Sequence, residues 1–301
     1  MTFLLLLTLF TVLVSEGCVG KTAQNITTQG RIQYGKPTKK GTYLYFVRLE
    51  IVDKRGEEFT CGGFLYRRNI VVTAAHCVSD DDNRIDVKRI RVYSNGDGGL
   101  EGRSPVDVSG YRIPSNWGKE DLKGDVMVLK LSKSFNTKTI GLAKKLPKPG
   151  VQLLIIGVGS TENDETEYDY EYEYEEDSRL AQSSDREFRS EYTLLEAKVP
   201  MLPRKDSNSF AIESGGPAME TDHFGAGYDK EHQDACVGDS GGPIIQHMKT
   251  TGGFTYPVVV GVVSYGYTKC GDKNAIGYYT SIPYYRRWIE ETTAKGTWVR
   301  L

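Results

Sequence analysis

Three segments of this sequence, far apart along the chain, carry side chains that could share one piece of chemistry. Cys236-Val-Gly-Asp-Ser-Gly-Gly-Pro-Ile-Ile245 places Ser240 in a tight, glycine-rich turn that leads into an apolar run. Val72-Thr-Ala-Ala-His-Cys77 carries His76, and Gly124-Asp-Val-Met-Val-Leu-Lys-Leu131 carries Asp125 at its start. A serine hydroxyl is a poor nucleophile at neutral pH and needs a neutral imidazole within hydrogen-bond reach to take its proton. The imidazole needs a carboxylate on its other nitrogen to hold the tautomer and stabilise the imidazolium. A carbonyl under attack develops negative charge on oxygen, and two backbone N–H groups must already point at it. Gly238 and Ser240 are the candidates for that hole, because a glycine lets the backbone approach a ligand with no Cβ in the way.

His76, Asp125 and Ser240, in this chain order, resemble the catalytic segments of the trypsin-like serine proteases of the chymotrypsin fold. The pattern can be followed from about Arg31 to Trp288. A core histidine, a turn aspartate and an ordinary glycine turn would account for any one segment alone, but not for all three in order. The resemblance implies an all-β fold of two six-stranded antiparallel β-barrels, divided near residues 132–150, with a C-terminal helix. His76 and Asp125 would come from the first barrel and Ser240 from the second. It also implies cleavage after Arg31 to free the α-amino group of Ile32, which would insert and pair with Asp239. A buried ammonium and a buried carboxylate are each costly alone, so each would stabilise the other, and the pairing would draw the Gly238 N–H into the oxyanion hole. Gln33 and Tyr34 depart from the Val-Gly that is commoner after the new terminus.

Asp234, six residues before Ser240, matches the carboxylate that trypsins carry at the floor of the primary pocket, where it would accept a substrate guanidinium or ammonium. Gly266 and Gly277 match the wall glycines that keep such a pocket open. Tyr265 stands where tryptophan is more frequent, and Ser264 matches the serine that hydrogen-bonds the catalytic aspartate. The expected partners are therefore protein or peptide substrates cut after Arg or Lys, protease inhibitors, and an activating trypsin-like protease. No cofactor and no metal are expected.

The supporting elements fit an all-β body. Short β-rich runs recur at Asn69–Thr73, Ile85–Tyr93, Val126–Leu131, Val151–Val158 and Val258–Ser264, separated by Gly, Asn, Asp and Pro clusters. Tyr43, Tyr45, Val47, Leu49 and Ile51 alternate as in a strand. Pro283–Thr293, with Tyr285, Trp288 and Ile289 three to four apart, reads as one C-terminal helix. Of five cysteines, the resemblance pairs Cys61 with Cys77 and Cys236 with Cys270. Cys18 is left over, to be lost with a signal peptide or kept unpaired in a propeptide, open there to an intermolecular disulfide. Further bridges common in relatives, such as one near Leu195–Ala197, have no cysteines here, so the loop from Asp206 to Phe224 is expected to be looser.

The first fourteen residues are almost wholly apolar, then turn small and polar at Ser15–Gly20. That reads as a secretory signal peptide over residues 1–17, with a retained anchor as the alternative. An activation propeptide would cover 18–31 and the protease domain 32–301. The products would be extracellular, in an oxidising compartment. With 38 basic and 40 acidic residues, the net charge of −2 argues against a nucleic-acid binder. The mean hydropathy of −0.43, with no later long apolar run, argues against a membrane span in the mature protein.

Residues 162–177 stand apart, with ten acids, four tyrosines and no base, which leaves +8 on the rest of the chain. Alternating like charges repel, so the plain expectation is a solvated loop beside the cleft. The sharper one is a set of acid-flanked tyrosines suited to sulfation. Arg179, Arg186 and Arg189 beyond it are potential self-cleavage sites. The sequon Asn25-Ile-Thr27 lies in the propeptide stretch. Two function classes follow: an active secreted protease made as a zymogen, or a catalytically silent relative that binds partners through the old cleft or the acidic segment. The retained triad and activation residues favour the enzyme.

Overall fold

A computed structural model describes residues 32–79, 84–96, 100, 104–118, 123–159, 193–227 and 232–300. The signal and propeptide stretches with Cys18 and Arg31, the acidic segment 162–177 and the three arginines that follow it lie outside the described residues.

The strands in chain order are β1 (Lys36–Pro37), β2 (Phe46–Val52), β3 (Glu58–Arg67), β4 (Ile70–Thr73), β5 (Arg89–Ser94), β6 (Val106–Arg112) and β7 (Met127–Leu131). They continue with β8 (Gly141–Leu142), β9 (Gln152–Gly159), β10 (Thr193–Pro200), β11 (His223–Gly227), β12 (Pro243–Lys249), β13 (Thr255–Gly266) and β14 (Ile276–Ser281). Two helices, α1 (Arg204–Glu213) and α2 (Ile282–Lys295), complete the set.

Strands β2-β3-β4-β7-β6-β5 close into an antiparallel barrel. The second sheet runs β1-β10-β9-β12-β13-β14-β11, with β8 added beside β13. Its ends approach through an antiparallel bridge between Met201 and Ala226 and a bond from Leu202 N–H to Gly225 O at 3.0 Å. The fold is therefore the expected mostly-β, chymotrypsin-like one: the first barrel is the expected closed antiparallel six-stranded one, while the second is built on an eight-stranded sheet, with β1 and β8 added, antiparallel apart from the β8–β13 pair. β-Branched and aromatic residues suit the pleated strands that build both cores. Val47, Leu49, Val71, Val128 and Leu129 fill the first; Leu153, Ile155, Val199, Ile244 and Val260 fill the second.

α2 brackets the expected Pro283–Thr293. Ser281 caps it, its Oγ accepting from Tyr284 N–H, and Gly296 ends it with a left-handed φ of 69°. Ile282, Tyr285 and Ile289 are its buried stripe.

α1 and the turn after it replace the looser loop expected over 206–224. Only Ser207 and Ala211 of α1 are buried, so its sequence has no apolar helical period to read. Polar clamps hold the segment instead. Arg204 donates to the carbonyls of Met219 (2.8 Å), Glu220 and His223, and Met219 N–H donates to Asn208 Oδ1 at 3.0 Å. Tyr278 O–H donates to Ser207 O at 2.8 Å. Such bonds satisfy backbone groups that a disulfide-free loop would otherwise leave to water.

Candidate active site

His76 opens a short 3-10 turn (His76–Val78) directly after β4, and the disulfide Cys61–Cys77 ties that turn to β3. Thr73 Oγ1 donates to Gly62 O at 2.8 Å, fixing the same corner from the β4 side. Asp125 sits two residues ahead of β7 and is fully buried. Its Oδ2 faces His76 Nδ1 at 2.8 Å, and its Oδ1 accepts the His76 backbone N–H at 2.9 Å. Ser264 Oγ donates a short hydrogen bond to Oδ2, and Thr280 Oγ1 donates to the Asp125 carbonyl at 2.7 Å. Burial alone would favour a neutral Asp125, but the His76 charge and these donors hold its pKa below the ordinary carboxylate value. Burial alone would likewise disfavour His76⁺, yet the attraction and hydrogen bond of Asp125 leave the imidazole pKa raised. A carboxylate on Nδ1 fixes the tautomer that leaves Nε2 as the basic atom, and the side chain is 27 % exposed.

Ser240 comes from the turn before β12. Gly238 has φ 90° and Gly241 φ 76°, a region that side-chain-bearing residues rarely adopt. A Cβ on Gly241 would also fall 2.1 Å from Thr73 Oγ1 and 2.6 Å from Gly62 O, so the turn packs directly onto the first barrel. One bond that registers the two barrels is Gly62 N–H to Ser240 O at 2.7 Å. Among the described residues, no hydrogen bond joins Ser240 Oγ to His76, and no protein acceptor takes the N–H of Gly238 or of Ser240.

Asp234 is 6 % exposed. Burial, with Asp272 adding to it, pushes its carboxyl up to about 6 against the opposing N–H bonds of Gly271 and Ala235. The disulfide Cys236–Cys270 joins the neighbours of those two donors and so ties together the two segments that bond the acid. Gly277 lies where a Cβ would come within 2.8 Å of the Tyr279 hydroxyl, while a Cβ on Gly266 would meet only the Ile276 carbonyl at 3.8 Å. Tyr265, in the tryptophan position, stacks on Tyr278 at 4.8 Å and meets Tyr267 edge-on at 5.2 Å.

Ile32 is 1 % exposed within the second core, and Asp239 is fully buried with Oδ2 accepting from Cys236 N–H at 2.9 Å. Gly157 makes room for that carboxylate, since a Cβ there would land 2.0 Å from Asp239 Oδ1. Gln33 N–H donates to Asp234 O at 2.9 Å, which lays the start of the described chain against the Asp234 segment. Tyr34 takes φ 54°, an uncommon conformation for a bulky residue, and its side chain points outward, 58 % exposed. The departure from glycine at this position is thus accommodated at a conformational cost.

Sequence reasoning passed over Asp222 and His223, which lie fully buried behind Asp125. The signal available was a histidine, one of four in the chain, beside an acid in the otherwise small and apolar run His223–Gly227. Tyr279, packed on Phe224 and within electrostatic reach of Asp234 and Asp239, was likewise unassigned.

The fold and this arrangement define a class of protein, and comparison with known sequences identifies it. The Trypsin family profile matches residues 32–289, and the chain belongs to the trypsin family. It is 27% identical to trypsin iota of Drosophila melanogaster over 271 residues, covering 89% of this chain and 90% of that one. It is 26% identical to trypsin epsilon of Drosophila erecta, covering 87% and 88%. It is 27% identical to serine protease grass of Drosophila melanogaster, covering 88% of this chain and 68% of that protein. No helix of the described residues is long and apolar enough to cross a membrane.

Proposed function

We propose that this chain is a secreted serine endopeptidase, made with a signal peptide (1–17) and a propeptide (18–31), activated by cleavage after Arg31, and selective for Arg and Lys. The observation that carries the reading is the Asp125–His76 pair. A fully buried carboxylate takes three hydrogen bonds, one of them aligning the imidazole Nδ1 at 2.8 Å, and Thr280 holds the carbonyl of the same residue, on the barrel that contacts the Ser240 turn.

In this reading His76 Nε2 takes the Ser240 Oγ proton as Oγ attacks the scissile carbonyl carbon. The carbonyl oxygen takes up the electron pair and is held by the Gly238 and Ser240 N–H groups. Collapse of the adduct expels the amine, which receives the same proton from His76⁺, and a water repeats the cycle on the acyl-enzyme. Asp125 stays ionised throughout and stabilises the imidazolium. Asp234 accepts the substrate cation at the pocket floor. Its raised pKa reflects an acid held where a matching cation would relieve the cost of burying its charge. The new Ile32 amine would pair with Asp239. The depth of Ile32 in the core and the close packing of Gly157 on Asp239 support that assignment.

The test is hydrolysis of short Arg and Phe peptide substrates by the protein cleaved after Arg31. Turnover of Arg substrates, absent before cleavage, is expected. A preference for Phe would overturn the pocket assignment. No turnover of either would favour a silent homologue.

A further inference from the structure

His223 opens β11 and is buried at the junction of the two barrels. Its Nδ1 faces Asp222 Oδ1 at 2.9 Å; its Nε2 faces Ser264 Oγ at 3.3 Å and Thr280 Oγ1 at 3.2 Å. Each of those hydroxyls has a single proton, and both protons are already committed to Asp125, one to Oδ2 and one to the carbonyl. A hydroxyl whose proton is spent offers only lone pairs. Nε2 must therefore present its N–H, shared between the two oxygens. From the other side, Asp222 receives a short hydrogen bond from Tyr285 O–H and accepts Gly124 N–H at 2.9 Å, one residue before Asp125. Burial would raise the Asp222 pKa, but the bonds from His223, Tyr285 and Gly124 and the His223 charge bring it down to about 2.

We infer that His223, held by Asp222, is a positioning residue for the catalytic base: it turns the hydroxyls of Ser264 and Thr280 so that both protons point at Asp125. The inference rests on the proposed role of His76 and extends it by one layer. The relay runs Asp222, His223, the two hydroxyls, Asp125, His76. It crosses from the second barrel to the first and is tied to α2 by Tyr285. With its carboxylate held by the oriented Ser264 hydroxyl and its carbonyl by that of Thr280, Asp125 draws on the His76 proton less strongly. If the hydroxyls turn away, Asp125 becomes a stronger acceptor and His76 holds its proton to higher pH. Other groups around His223 are the Tyr265 ring at 5.4 Å, Arg204, which donates to the His223 carbonyl, and the Lys123–Glu220 pair at 3.9 Å beside the Gly124 turn. None of these replaces the Nε2 donor.

The experiment is a titration of the His76 ring by NMR in full-length protein cleaved after Arg31 and carrying Ser240→Ala, so that it needs no turnover. Three variants are compared with this parent. His223→Gln keeps an N–H near the Nε2 position, His223→Asn keeps a donor only toward Asp222, and Thr280→Val removes one acceptor without changing shape. We expect Gln to titrate as the parent does, Asn to move upward by about half a pH unit, and Val to move the same way by less. In the Ser240 protein, Asn should lower kcat with KM unchanged, and Gln should restore it. A folded Asn variant that titrates like the parent, or Gln and Asn moving alike, overturns the inference. If Asn does not fold, Thr280→Val decides, and an unmoved titration there overturns it as well. Because the readout is a titration, a chain that failed to hydrolyse any peptide would refute the proposed activity without touching this result.

Discussion

Among the described residues, buried polar side chains in the first half of the molecule are few: Arg48, Asp53, Thr73, Ser94 and Asp125. The second half buries Asp222, His223, Asp234, Asp239, Ser264, Thr280 and others beside its own apolar core. Apolar packing is non-directional and holds without a ligand, so the first barrel presents His76 and Asp125 on a finished scaffold. Buried charge is stable only with a partner in the right place. On the proposed function, the second barrel keeps a site whose energetics improve when a partner arrives, a substrate cation at Asp234. On that proposal the division of labour would be between a base that is always in place and a nucleophile, pocket and oxyanion hole that are conditional.

The sharpest way to break this comparison is at the nucleophile. Ser240→Ala should lower kcat by about a million-fold, measured by release of a chromogenic amine from an Arg substrate, while folding and inhibitor binding persist. Ordinary turnover by that variant would remove Ser240 from its role.

Asp234→Ser tests the conditional pocket from two sides. Loss of the counter-charge should cut kcat/KM for Arg substrates by about a thousand-fold, with little change for an uncharged ester. The same variant should melt at a higher temperature at neutral pH. The sign follows from the raised pKa: the folded state binds this proton more tightly than the unfolded chain, so ionising the acid above about pH 6 costs stability that removal of the acid returns. In the parent, KM for Arg substrates should rise as the pH falls below about 6, whereas the His76 limb, raised by Asp125, should appear in kcat for charged and uncharged substrates alike. An unchanged melting temperature would place Asp234 in water rather than in a low-dielectric pocket.

Leu129→Ala probes the scaffold. Leu129 is fully buried in β7, close behind Asp125. The truncation should cost about 3 kcal/mol of stability, read by denaturant unfolding, with kcat per titrated active site nearly unchanged. A fall in kcat per site would show that the first barrel is not the rigid partner described.

The smallest effect is expected from deleting 162–177, between the ends of β9 and β10. Gly159 and Thr193 are paired across those strands, so a short turn could rejoin them. Turnover of small Arg substrates should not change, while the salt dependence of binding to basic proteins should weaken. Loss of small-substrate activity would place the segment in the cleft.

The local stretches that set barrel and helix were legible because each repeats a simple period. Alternation around Val47–Ile51, the runs at Ile70–Thr73 and Val126–Leu131, and the Tyr285, Trp288, Ile289 spacing of α2 need nothing from distant parts of the chain. Gly238 and Gly241 were legible for the same reason, since a left-handed turn and a close approach select glycine wherever they occur. α1 was not, because its two buried positions carry Ser207 and Ala211 and its order comes from clamps reaching it from Arg204, Asn208 and Tyr278. The sequence by itself determined the fold class, the family and the residue types at the candidate site. Only the tertiary structure decided what stands behind Asp125. Asp222 and His223 are as ordinary in sequence as any acid and histidine on a strand end. They acquire a role because closing the second barrel against the first buries them beside Ser264, Thr280 and Gly124, where each donor must find an acceptor.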